Sequence, residues 1–469
     1  MTTPAPPRNR KELYDRIARG GKDEVILEEM VRLGFWPTLA YSLTDPPDEV
    51  RRAADLRQRL QTLRDQAARL RNLRQLEKDQ KAHRLAESKK HREETKQKKL
   101  GERAAGRAAT VQTKTRELRY LGAGVSAGLG RRQSDAAALA KLGLPVIHTA
   151  ADLAQAMKLP LGQLRFLAFS REVSTTTHYR RFTIPKRTGG ERLISAPRKR
   201  LKAVQHWILE NLLEKLQLAD PAHGFRSGRS TVSNAVPHVG ASVVVNVDLR
   251  DFFPTVTYRR VKGLFAKLGY SEEVATVLAL VCSEPDITET ELDGVRYFVQ
   301  RGLRRLPQGA PTSPAITNAL CRRLDRRVLG WAGRRGFVYT RYADDLTVSS
   351  KDKAAPVGKM LAFLRKVVAD EGFHVHPEKV RVVRRGRRQE VTGVVVNERP
   401  GVPRDELRRF RALLHHIEKD GPAGKKWGAA GSDVLTAALG FASYVMMVDR
   451  AKGEALRTKV LALRAKYPT

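Results

Sequence analysis

Acidic residues are in short supply: 50 Asp and Glu face 88 Lys and Arg over 469 residues, leaving a net charge of +38 at pH 7. Such a surplus repels itself unless an anionic partner answers it, and nucleic acid is the partner it suggests. Cysteine is nearly absent. Cys282 and Cys321 are the only two and form no CxxC or other ligand spacing, which argues against zinc fingers and a disulfide framework and fits a reducing cytosol. No run approaches the roughly eighteen uncharged apolar residues of a membrane span. The opening MTTPAPPRNRKELYDR has no apolar signal region, so a cytoplasmic protein without membrane contact is expected. What is present is enough to fold: 41% hydrophobic residues exclude wholesale disorder, and the length suggests about three domains.

Glycine and proline are missing between Asp48 and Leu100, where Lys, Arg, Glu, Gln, Ala and Leu dominate, and propensity predicts one long helix. Residues 51–100 hold seventeen Lys and Arg against seven Asp and Glu, a local +10. Leu56, Leu60, Leu63, Ala67 and Leu70 keep a 4-3-4-3 spacing before the pattern decays. A solvated helix or short coiled coil and an arm lying along RNA phosphates fit equally well. Gly122, Gly124, Gly128 and Gly130 then break the periodicity, which places a boundary near 133. Thr149 to Asp152 reads as a capping box opening a helix through Met157, and Leu161, Leu164, Leu167 and Ala168 line one face of the next. Strands and helices alternate from Tyr179 to about 400, and helices return after Pro403.

Ser242 to Leu249, SVVVNVDL, is too β-branched for a favoured helix and delivers Asp248 near Phe252 and Phe253. Alone, that aspartate reads as the cap of the next turn. Phe337 to Ser350, FVYTRYADDLTVSS, sets two β-rich halves around Ala343 and Asp344, a tight hairpin with adjacent carboxylates at its tip. Two bare carboxylates repel unless a cation neutralises them, and hard oxygen ligands suit Mg²⁺. Joined with Asp248 they could build a two-metal centre for in-line phosphoryl transfer.

In their order, Asp248 with Phe252-Phe253, LPQGAPTSP at 306–314 and YADD at 342–345 resemble the motifs of reverse transcriptases. Asn234-Ala235-Val236-Pro237-His238 and Val391-Thr392-Gly393 resemble the NAxxH and VTG segments of bacterial retron reverse transcriptases, as do HGFRSGRS at 223–230 and IPKRTGGERLISAP at 184–197. The resemblance spans about 140 to 469. It implies an α+β right-hand polymerase: a basic helical extension over 1–132, fingers and palm over 133–397, and a helical thumb over 398–469.

Residue by residue, the resemblance implies that Asp248, Asp344 and Asp345 are catalytic and hold two Mg²⁺ ions, with Asp345 contributing less directly because strand neighbours point to opposite faces. It implies that Phe253 is a steric gate against a 2′-hydroxyl, that Gln308 and Gly309 line the nucleotide pocket, and that Lys186 and Arg192 of a Gly189-Gly190 hairpin clamp the triphosphate. RNA contacts are implied for Asn234, His238, Val391, Thr392 and Gly393, and for Arg404 and Arg408 on a helix over 403–419 whose Leu407, Phe410, Leu414 and Ile417 share a face. The four histidines His374, His376, His415 and His416 lack zincin-like spacing and read as surface or packed residues. The implied activity is RNA-directed DNA synthesis on a structured noncoding RNA serving as template and primer. Its implied partners are dNTPs, the RNA–DNA hybrid, a host ribonuclease H and an effector protein, in anti-phage defence. An intron-type reverse transcriptase and a catalytically silent RNA-binding scaffold are the competing readings.

Overall fold

The computed structural model describes residues 7, 9–20, 22–35, scattered positions between 56 and 78, and 117–467 apart from 187–188 and 429–430. Two compact units divide the chain, one taking Met1–Arg132, Ile147–Ser170 and Glu272–Val274, the other Gln133–Val146, Arg171–Ser271 and Ala275–Thr469.

In the first unit, Thr149 and Asp152 exchange the two hydrogen bonds of a capping box and start the helix Ala150–Ala156, which stops at Met157. The following helix, Leu161–Ala168, buries Leu164, Leu167 and Ala168. The side chain of Glu273 accepts from the Ala150 amide at 2.9 Å and from Arg132 Nε at 2.8 Å, so the segments are tied by charge as well as by apolar packing. Most of the long helix expected over 48–100 lies outside the described residues. Residues 59–68 are helical, and Leu56, Leu60, Leu63 and Leu70 are each more than half exposed among the described residues.

The second unit is built on a five-stranded antiparallel sheet. Strands β1 (Val173–Ser174), β2 (Tyr179–Pro185) and β3 (Glu191–Pro197) precede it in the chain, and β4 (Val243–Arg250) is its centre. After the hairpin β5 (Glu284–Leu292) and β6 (Val295–Arg305) come β7 (Phe337–Tyr342), β8 (Asp345–Ser350), β9 (His374–Val375) and β10 (Arg381–Arg384). The sheet order is β10-β4-β8-β7, with β9 continuing the pairing on the end of β4. Because β4 is covered on both faces it reads as an almost unbroken valine run: Val243, Val244, Val245 and Val247 are all buried. β2 and β3 form the separate hairpin read from Gly189 and Gly190, both of which have positive φ. β5 and β6 form a longer one whose Asp293-Gly294 turn also runs through positive φ.

Three helices close the chain: Arg404–Asp420, Val434–Val448 and Arg450–Lys466. Phe410, Leu414 and Ile417 of the first pack on Leu435, Ala438 and Ala442 of the second and on Val460 and Leu463 of the third. The second and third helices meet closely at Gly453, where a Cβ would lie 2.0 Å from the Met446 Cα. Glycine is the only residue that this crossing admits.

Candidate active site

Asp248 and Asp345 are cross-strand partners in the β4–β8 register, and Asp344 sits beside them in the two-residue β7–β8 turn. Ala343 takes φ +56°, a left-handed conformation that a non-glycine residue holds only when its surroundings enforce it. They do. The Leu249 amide donates to the Asp344 carbonyl at 3.0 Å, stitching the turn to β4. Arg341, fully buried, donates through Nη1 to the Ala343 carbonyl at 3.1 Å and to Asn318 Oδ1 at 2.9 Å, and its Nε and Nη2 grip the Asp325 carboxylate at 2.8 Å each. Behind the turn, Gly224 comes so near that a Cβ there would lie 2.5 Å from the Ala343 nitrogen.

The carboxylates carry the electrostatic mark of crowding. Burial raises the Asp344 carboxyl above its ordinary range and the charge of Asp248 adds to this, while Lys379 and Arg192 oppose it. Asp345 is pushed up to about 7 by desolvation and then by Asp344 and Asp248. One cation of the protein already answers this excess: Lys379 Nζ lies 3.0 Å from Asp248 Oδ1. The set is all oxygen and over-negative, which fits a hard divalent ion in place of that ammonium. Among the described residues, no group of three His, Cys, Asp or Glu side chains is already arranged around an ion position.

The residues expected to form a nucleotide pocket lie on the β2–β3 hairpin, in the 306–310 segment and just after β4. The Gln308 carbonyl accepts from the Ser195 amide at 2.7 Å, and Gly309, at φ +111°, leaves 2.9 Å between a would-be Cβ and Ile194 Cγ2. The 306–310 segment is thus docked on β3, and only glycine allows the approach. On the β2–β3 hairpin Lys186 and Arg192 are exposed. Arg192 is near enough to act on Asp344. Phe253 is half-buried, with its ring 5.5 Å from that of Phe252, which is buried against Phe373 at 5.3 Å. Phe252 is thus a packing residue, whereas Phe253 keeps part of its surface open.

The RNA contacts expected of Asn234, His238 and Val391 are corrected, because all three are fully buried and none presents a surface to a ligand. They form a knot inside the unit. Asn234 Nδ2 donates to Thr392 Oγ1 at 3.4 Å, and Thr392 Oγ1 donates to the Thr231 carbonyl at 3.1 Å. Tyr444 of the second C-terminal helix donates its hydroxyl to the Gly393 carbonyl at 2.9 Å, while Val391 joins Ala235, Val244, Val394 and Val396 in an apolar cluster. Thr392 and Gly393 are half-buried; Arg404 and Arg408 are exposed. Sequence reasoning also missed Arg341, Asp325, Gly224 and Lys379. The HGFRSGRS motif was a signal for Gly224. Nothing distinguishes Arg341 among so many cations.

His238 is held between Ser349 Oγ at 2.7 Å and Thr340 Oγ1 at 2.8 Å. Desolvation, and then the charge of His223, lower it to about 3. In the unfolded chain it titrates near 6.5, so below that pH the unfolded state binds the extra proton and stability falls until the folded group titrates as well. At pH 5 this costs about 2 kcal/mol relative to pH 7. Urea unfolding at the two pH values should therefore show a smaller difference for His238→Gln than for the parent chain; equal differences would reject the assignment.

The reverse transcriptase (RNA-dependent DNA polymerase) family matches residues 184–400. The chain is 43% identical over 406 residues to the retron Mx162 reverse transcriptase of Myxococcus xanthus, covering 81% of this chain and 82% of that protein. It is 46% identical over 308 residues to the retron Mx65 reverse transcriptase of the same organism, 66% of this chain and 69% of that one. To the retron Ec86 reverse transcriptase of Escherichia coli it is 34% identical over 332 residues, 70% of this chain and 93% of that one.

Proposed function

The chain belongs to the retron reverse transcriptases, RNA-directed DNA polymerases, and from that premise we propose how its residues divide the work. The observation that carries the proposal is the register that sets Asp248 opposite Asp345 with Asp344 in the turn between β7 and β8. These three side chains would hold two Mg²⁺ ions in place of the Lys379 ammonium. When bound, the ions activate the attacking hydroxyl and neutralise the charge of the leaving pyrophosphate. Arg192 and Lys186 close over the triphosphate from the β2–β3 hairpin. Gln308 and Gly309 shape the pocket wall, and Phe253 lies beneath the sugar.

We divide the chain into a basic extension over 1–132, fingers and palm over 133–397, and a thumb over 398–469 whose Arg404 and Arg408 meet the phosphates of the RNA–DNA hybrid. Its template and primer are one structured noncoding RNA, and synthesis from an internal guanosine 2′-hydroxyl yields DNA still joined to RNA, in a cytoplasmic anti-phage role with an effector and a host ribonuclease H. Incubating the purified protein with the RNA of its own locus, dNTPs and Mg²⁺ tests this. Ribonuclease digestion should leave a branched nucleotide on the DNA, and a free DNA 5′ end would exclude the branch.

Phe253→Val should raise ribonucleotide incorporation relative to deoxyribonucleotide by about tenfold or more, because it removes a clash that only the wrong sugar meets. Competitive single-nucleotide extension measures the ratio. An unchanged ratio makes Phe253 a packing residue.

A further inference from the structure

Phe225 is the side chain beside the catalytic turn that the fold leaves unexplained. It follows Gly224 in a segment laid along β7, where the Arg341 amide donates to the Pro221 carbonyl at 2.7 Å and the His223 amide to the Arg341 carbonyl at 2.8 Å. Asn318 Nδ2 holds the Gly224 carbonyl at 2.8 Å. So anchored, Phe225 adopts φ +54°, a conformation that a bulky side chain avoids, yet the residue is 58% exposed. Strain accepted to bury an aromatic is ordinary; strain accepted to expose one asks for a ligand. The ring lies 6.3 Å from that of Tyr342, tilted by 37°, and Tyr342 immediately precedes the catalytic turn. Arg226, tethered to the Ala219 and Ala222 carbonyls, supplies a cation alongside.

We propose that Phe225 and Tyr342 form a stacking platform for the terminal nucleotide of the primer strand. The proposal rests on the reading of Asp344 as part of the catalytic centre. Two aromatic faces with adjacent arginine charge match the chemistry of an unpaired or end-frayed nucleobase and its phosphate. The strand in question follows from the reaction, since the attacking hydroxyl must reach the carboxylates next to Tyr342 whereas the template need not. Priming from within an RNA makes the platform more useful, because such a nucleotide lacks the continuous duplex that orients an ordinary primer end.

The test uses the full-length protein and a DNA primer on an RNA template, with 2-aminopurine at the primer terminus in one duplex and at the templating position in another. Binding is read without Mg²⁺ or dNTPs, so the result does not depend on catalysis. Phe225→Gly removes the backbone strain and should keep or raise the melting temperature. It should nonetheless weaken the primer-terminus complex about tenfold or more and raise the KM for primer, leaving that for dNTP unchanged; Phe225→Tyr should restore both. Unchanged binding by the glycine variant, a loss confined to the template probe, or a loss that follows a fallen melting temperature would overturn the proposal. Failure of the parent protein to extend the same duplex with Mg²⁺ would instead bring down the catalytic reading beneath it.

Discussion

Asp344→Asn should lower DNA synthesis by at least about a thousandfold, because on the proposed assignment it deletes one of the charges that would hold the ions while hardly changing the volume of the turn. The substitution leaves intact the backbone that shapes the site: the Leu249 amide still meets the residue-344 carbonyl, and Arg341 still meets that of Ala343. RNA affinity should stay close to that of the parent, because the substitution removes no surface cation. Primer extension at saturating Mg²⁺ and filter binding of RNA measure the two halves. Extension retained by the purified variant would remove Asp344 from the metal site.

Arg341→Leu should destabilise the protein by about 3–5 kcal/mol, since it leaves the Asp325 carboxylate buried without its cation. Tyr339 donates to the same carboxylate at 2.9 Å but cannot neutralise it. Activity should fall further than stability alone explains, because the Ala343 carbonyl loses its donor and the β7–β8 turn, to which we assign catalysis, its brace. Removing both charges, Arg341→Leu with Asp325→Leu, should recover most of the stability and little of the activity. Urea denaturation across the four variants of that cycle measures the coupling. Single-variant losses that simply add up in the double variant would mean that the pair is not the unit it looks to be.

The elements that carry the candidate site were legible because they depend on local pattern. The valine run ending in Asp248, the glycine pair turning β2 into β3 and the paired aspartates in a short hairpin each announce themselves within about ten residues. The capping box at Thr149 did so as well. What stayed hidden depends on where a polar residue ends up. Arg341 has the charge of 87 other residues and differs from them only in being enclosed by Asp325 and Asn318. Asn234 and His238 sit in a motif and look like ligand contacts, yet their partners, Thr392, Thr340 and Ser349, lie more than a hundred residues away and turn them inward. The β5–β6 hairpin went unread despite its Asp-Gly turn, since alternating charges on both strands obscure the period of two. The leucines at 56–70 gave a clear spacing, but a spacing does not name the surface it faces.

The knot joining residues 231–238 to 391–394 and Tyr444 bears on how such enzymes can be recombined. A chimaera that takes its last 72 residues from a relative would receive a foreign helix at the position of Tyr444 while keeping its own Gly393, so the hydroxyl-to-carbonyl bond would survive only where the donor helix presents a tyrosine in the same turn. Cutting between 238 and 391 separates Asn234 from Thr392 in the same way. Modules that appear independent along the chain are therefore exchangeable only as a set of three.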